Sequence, residues 1–223
     1  MKKILFCVSI CLILALITGC SETIPNSTSG TNAEIPPNES SSEVESESAS
    51  DQGPQEIENP DFRNVKWGMS VEEVKKQEDA DLLAEFSDEL QYSAHINETI
   101  PCKILYGFND ANQLYIAAYN PTADYSNDYH YYIDFLVLKE RLTEVYGAPT
   151  ADNEIWYGNL FKGSPEKYGL AISAGYLECL TKWEVDGTSI SLYIYGNNFE
   201  ISTTIMYKSL DVKKAASESN SGL

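Results

Sequence analysis

The chain is poor in the residues that most often carry chemistry. It has two histidines, His95 and His130, and five cysteines among 223 residues. There is no His-Glu-x-x-His and no Cys/His cluster, which argues against a zinc centre. Gly-x-Ser-x-Gly and phosphate-cradling glycine loops are also missing. Basic residues are scarce: 15 Lys and Arg stand against 34 Asp and Glu, a formal charge of −19. Such a field excludes nucleic acid, and anionic membrane surfaces, as partners held by net charge. It tolerates cationic partners or divalent cations, although solubility alone is a sufficient reason for acidity. Long apolar runs are absent too. The longest, Ile4 to Ile17, has 14 residues, short of the ~20 that cross a bilayer.

That run is informative for what surrounds it. Met1-Lys2-Lys3 precedes it, and Thr18-Gly19-Cys20 follows. A basic start, a short apolar stretch and a small residue before a cysteine make an export signal. The ending resembles a bacterial lipobox, whose cysteine becomes the first mature residue and carries lipid. The resemblance implies a signal peptide over residues 1–19. It also implies a diacylglycerol on Cys20, with palmitate-type chains, and a place on the outer face of the cell membrane. One acyl chain holds a protein marginally, whereas two hold it firmly. Cys7 and Cys11 leave with the signal, so Cys102 and Cys179 are the pair that remains. In an exported chain they can form a disulfide, or stay as two buried thiols.

Residues 20–60 read as a lipidated start followed by a tether. From 21 to 60 there are nine acidic residues, no basic ones and no aromatics. Such a stretch cannot bury enough apolar surface to offset chain entropy and is expected to be disordered. A flexible segment of this length spans roughly 35 Å, more with charge repulsion, and lifts a domain off the membrane. Residues 209–223, rich in Ser, Ala and Lys, read as a second disordered end. Between them, residues 61–208 form one domain, with a net charge of −12 from 11 basic and 23 acidic residues.

Ser70 and Glu73 form a capping box, with Met69 and Val74 spaced as its hydrophobic staple, which predicts a helix from about Val71 to Asp79. Strand character follows at Leu90–Ile96, Cys102–Phe108 and Gln113–Tyr119. Asn127 or Asp128 opens a longer helix whose stripe is Phe135, Leu138, Leu142 and Val145, stopped by Gly147 and Pro149. A third helix is expected from Ser164-Pro165 to near Gly175. Strands Leu177–Val185, Ser189–Tyr195 and Glu200–Tyr207 close the domain, with Asp186-Gly187 as a two-residue turn. The expected class is α+β: two helix-plus-three-strand antiparallel units forming one sheet with helices on one face.

Gly68-Met69-Ser70-Val71-Glu72-Glu73-Val74 resembles the Gly-Met-[Ser/Thr]-x-x-x-Val helix start of small bacterial lipoprotein modules. Leu142, Tyr146-Gly147-Ala148-Pro149 and Trp156-Tyr157 resemble the helix, Gly-x-Pro and Trp-x-Tyr stretch of the same modules. These include the β-lactamase-inhibitor-protein-like fold and the small lipoprotein of the outer-membrane β-barrel assembly machinery. Phe62 through Val74 resembles the opening of uncharacterised lipoproteins of Firmicutes. The resemblance covers about a third of the domain. It implies a helix-plus-antiparallel-sheet fold and a non-enzymatic, protein-binding role, with no cofactor.

Candidate chemical sites are few. Asp124-x-Ser126-x-Asp128 starts like a calcium loop, but Tyr129 and Phe135 occupy the positions that need Gly and Glu; a helix cap by Asp128 explains it. Ser164-x-x-Lys167 matches a serine–lysine nucleophile motif but lacks its companions. Glu184 and Asp186 are the carboxylate pair that an envelope hydrolase would require, about 5–10 Å apart across a cleft. Aromatic surface remains. Tyr125 and Tyr129 at the start of the long helix, and Tyr193 and Tyr195 on a strand, form a candidate binding face, because Tyr offers large area and a polar tip at low entropy cost. The expected role is a lipid-anchored extracytoplasmic module binding a protein or an envelope polymer.

Overall fold

The computed structural model describes residues 57–213. The signal peptide, Cys20, most of the tether and the end of the chain lie outside the described residues. α1 (Val71–Gln77) starts at the capping box: Ser70 Oγ accepts from Glu73 N–H, and Glu73 accepts from Ser70 N–H. The bond from Ser70 N–H, with the hydroxyl bond between the two side chains, holds the Glu73 carboxyl below its ordinary range. Four strands follow: β1 (Asp81–Glu85), β2 (Glu89–Ile96), β3 (Ile100–Phe108) and β4 (Leu114–Pro121). Then come α2 (Tyr129–Tyr146), β5 (Ala151–Trp156), a 3-10 turn at Pro165–Lys167 and α3 (Tyr168–Ser173). β6 (Leu177–Val185), β7 (Thr188–Asn197) and β8 (Glu200–Ser209) complete the order.

The eight strands form one antiparallel sheet in the order β1-β2-β3-β4-β8-β7-β6-β5. With its three α-helices the domain is mixed α+β, an open sheet with more strand than helix. β1 and β5, the two edge strands, are additions to the six expected. β8 runs to Ser209, which is 2% exposed.

Side-chain alternation divides the sheet into two faces. On β7, Ile190, Leu192 and Ile194 are buried, and they pair with Tyr207, Ile205 and Thr203 of β8. α2 and α3 pack against β6, β7 and β8 and cover this face. The segment Asp61–Met69 covers its other half. The Phe62 ring lies 5.6 Å from Tyr106, 4.9 Å from Tyr119 and 4.9 Å from Tyr207, all on the same face by register. Gly68 N–H donates to Leu114 O, and Leu114 N–H to Met69 O, at 2.8 and 2.7 Å. Glu78 anchors the segment's other end. Its side chain is 1% exposed and accepts from Arg63 Nε and Nη2 at 2.9 Å each, from Ala80 N–H and from the Tyr106 hydroxyl.

Some local readings need correction. The N-cap position of α2 is Asp128, but the side chain that meets the first turn is that of Asn127, whose Oδ1 accepts from Tyr129 N–H at 3.0 Å. Asp128 has no capping bond and accepts from Ser173 Oγ at 2.6 Å instead. The buried stripe of α2 is Tyr132, Phe135, Leu138 and Leu142, while Val145 is 71% exposed. At about 100° per residue, Val145 points roughly 80° away from Phe135, but Tyr146 only about 20°. Tyr146 accordingly packs on Tyr207. The helix expected from Ser164 is two short pieces, the 3-10 turn and α3, and Ser164 makes no side-chain cap.

Candidate functional site

The turn between β6 and β7 sets the geometry of the uncovered face. Asp186 (φ 45°) and Gly187 (φ 77°) both take left-handed conformations, the pattern of a two-residue hairpin turn. Counting outward, Lys182 pairs with Ser191, Leu180 with Tyr193 and Cys179 with Ile194, which puts Glu178 level with Tyr195. β5 adds Asn153 opposite Leu180 and Ile155 opposite Glu178. β8 adds Thr204 opposite Tyr193 and Ser202 opposite Tyr195. All of these but Cys179 and Ile194 point away from α2 and α3, because their strand neighbours are the buried residues of the helix-covered face.

Tyr193 and Tyr195 stack on this face, centroids 5.0 Å apart and planes 21° from parallel. Tyr193 donates its hydroxyl to Glu178 Oε2. Burial first, then the bond to Glu178 and its charge, push the Tyr193 phenol well above its ordinary value. Tyr157, 62% exposed, follows β5; its N–H donates to Tyr176 O at 2.9 Å. Its phenol is also raised, by burial and then by the charge of Glu178 and a hydrogen bond to it. Glu178 thus accepts from Tyr193, and its charge also reaches the Tyr157 phenol. Tyr157 and Glu178 were not singled out from the sequence. The signal for Glu178 was there: the Asp186-Gly187 turn fixes the register that brings it to Tyr195. Tyr157 lacked one, because β5 does not read as a strand.

The structure does not bring the four expected tyrosines together. Tyr125 and Tyr129 lie on the helix side. Tyr125 donates its hydroxyl to Asp134 Oδ2 at 2.7 Å, a bond that together with burial pushes its phenol up to about 12. With Tyr131, Leu138 and Thr203 it lines a small cavity of about 20 Å³. Tyr129 packs against the core and borders a wide open depression of about 520 Å³ with Asp128, Glu166 and Lys167. Tyr193 and Tyr195 therefore share a face that Tyr125 and Tyr129 do not.

Of the two readings open for Cys102 and Cys179, the disulfide falls and the two buried thiols stand. Cys102 and Cys179 are both free and buried. They sit on β3 and β6, with β4, β8 and β7 between them. Four strand spacings make about 19 Å, far beyond the ~7 Å Cα separation that a bridge tolerates. Burial pushes the thiol of Cys102 up to about 11 and that of Cys179 up to about 12. Glu184 is exposed on β6 opposite Ser189 and Asp186 occupies the turn. The two flank a hairpin tip and line neither cavity. Ser164 and Lys167 are joined through the backbone, Lys167 N–H to Ser164 O at 2.8 Å. Among the described residues no group of three or more His, Cys, Asp or Glu is placed to hold a metal, and no helix is long and apolar enough to cross a membrane. No protein-family model, curated protein or solved structure matches the chain.

Proposed function

We propose that the chain is a lipoprotein, anchored through acylated Cys20 on the outer face of the cell membrane. Its domain is a non-enzymatic binding module that meets a protein or an envelope polymer with the uncovered face of the sheet. The observation that carries this reading is the division of the sheet. One face is filled by α2, α3 and the segment Asp61–Met69. The other presents half-exposed, mostly neutral side chains around the stacked Tyr193–Tyr195 pair, the kind of surface that recognition sites use. The order of strands also suits two consecutive helix–sheet units joined through their last strands, β4 and β8. That reading extends the lipoprotein-module resemblance and gives each unit four strands.

Two measurements test the proposal. Mass spectrometry of the amino-terminal peptide is expected to find Cys20 acylated, and Cys20→Ala to release the protein from membranes. An unmodified thiol, or recovery wholly from cytosol, sinks the anchor. For the face, the double variant Tyr193→Ala, Tyr195→Ala is expected to lose capture of ligands from envelope extracts, while Tyr125→Ala keeps it. Unchanged capture by the double variant removes the sheet face from the account.

A further inference from the structure

We propose that the Tyr193–Tyr195 patch takes an uncharged glycan chain. This rests on the sheet-face reading above and names its ligand class. The patch combines two kinds of group on rigid strands. Aromatic rings stand at two places: the Tyr193–Tyr195 stack on β7, and Tyr157 just past the end of β5. β6 lies between them, so the platforms are about 9.5 Å apart across the sheet, comparable with a disaccharide. Neutral hydrogen-bonding groups flank the rings: Asn153 on β5 and Thr204 on β8 occupy the same row as Tyr193. A sugar ring offers an apolar C–H face to lie on an aromatic ring and hydroxyls in its plane for amides, hydroxyls and carboxylates. The patch supplies both.

Charge selects among glycans. The domain carries −12, and Glu178 lies between the two platforms on β6 with the Tyr193 hydroxyl on it. An anionic chain of uronates or phosphates would meet that carboxylate and the whole domain's repulsion. A neutral chain meets a fixed acceptor for one of its hydroxyls. A peptide would also find the rings, but it would gain more from flanking charge, and Glu178 is the one carboxylate among the groups of this patch.

An array of neutral hexose and N-acetylhexosamine oligosaccharides, printed beside uronate and sulfated chains, tests the inference with the full-length protein. Binding is expected on neutral chains only. Tyr195→Ala is expected to weaken it about ten-fold, the scale of one ring's stacking, and Tyr193→Phe to weaken it less. Tyr195→Thr, which keeps strand propensity, serves where the alanine variant fails to fold, and Tyr125→Ala on the opposite face is expected to bind as the parent. No neutral signal, equal signal on uronates, or binding indifferent to Tyr195 overturns the inference. If glycans fail while Tyr193 and Tyr195 still govern capture of an envelope protein, the ligand class falls and the sheet-face reading stands. If both fail, both fall.

Discussion

At the scale of single residues, the most consequential group is one that makes no contact with any proposed ligand. The Glu78 carboxylate is almost wholly enclosed, and Arg63 binds it through two nitrogens. Burial alone would pull the Arg63 guanidinium down, but the hydrogen bonds and charge of Glu78 outweigh it and hold it above its ordinary value. Removing one partner of such a pair strands the other. Arg63→Ala is therefore expected to cost about 3–5 kcal/mol, read as a shift of the urea midpoint with an unchanged m-value. A loss below about 1 kcal/mol would show that the pair holds nothing in place. None of this was legible in the sequence, because Arg63 and Glu78 are brought together by the path of the chain around α1. The cysteines illustrate the same limit. Two thiols left in an exported chain invite a bridge on counting, and only the strand order shows that they stand on different parts of the sheet.

At the scale of elements, legibility followed the strength of the local signal. α1 was readable from its capping box and β6–β7 from the Asp186-Gly187 turn, both of which work through neighbours in sequence. β1 and β5 were not. Asp81-Leu82-Leu83-Ala84-Glu85 and Ala151-Asp152-Asn153-Glu154-Ile155-Trp156 contain few β-branched residues and no clear alternation, and each is a strand only because β2 or β6 supplies its ladder partners. The join between α2 and α3 was equally hidden. A Cβ on Gly169 would sit 2.4 Å from the Asp128 carbonyl and from Tyr129 N, so the helices meet backbone to backbone, beside the Ser173–Asp128 bond. In an open helix, Gly→Ala would gain up to about 1 kcal/mol. Here Gly169→Ala is expected to do the opposite and cost about 1–3 kcal/mol, as overpacking does. Thermal unfolding decides by sign: a raised midpoint would mean that the helices can part at no cost.

At the scale of the molecule, the domain is held by an unusual share of phenols. The chain has 15 tyrosines, and several fill the core: Tyr92, Tyr106, Tyr132 and Tyr207 are buried. Burial comes first in pushing the phenols of Tyr106, Tyr132, Tyr193 and Tyr207 up, reinforced by Glu78 at Tyr106 and by Glu178 at Tyr193. A phenol whose value is higher folded than unfolded keeps its proton longer in the native chain. Its contribution is complete below the unfolded value of about 10 and is lost as the pH rises through the folded value. Each such group withdraws up to about 1.4 kcal/mol per pH unit above 10, so four exhaust a typical stability of about 5–15 kcal/mol within one to three units. The domain is therefore expected to unfold cooperatively in alkali. Exposed tyrosines should ionise first, and the buried set should follow in one step that coincides with loss of the far-ultraviolet circular dichroism of the sheet. Phenolate absorbance recorded on the same sample separates the outcomes. If every tyrosine ionises near its ordinary value while the sheet signal stands, these phenols are solvated and the aromatic core drawn around Phe62 and Tyr207 is wrong.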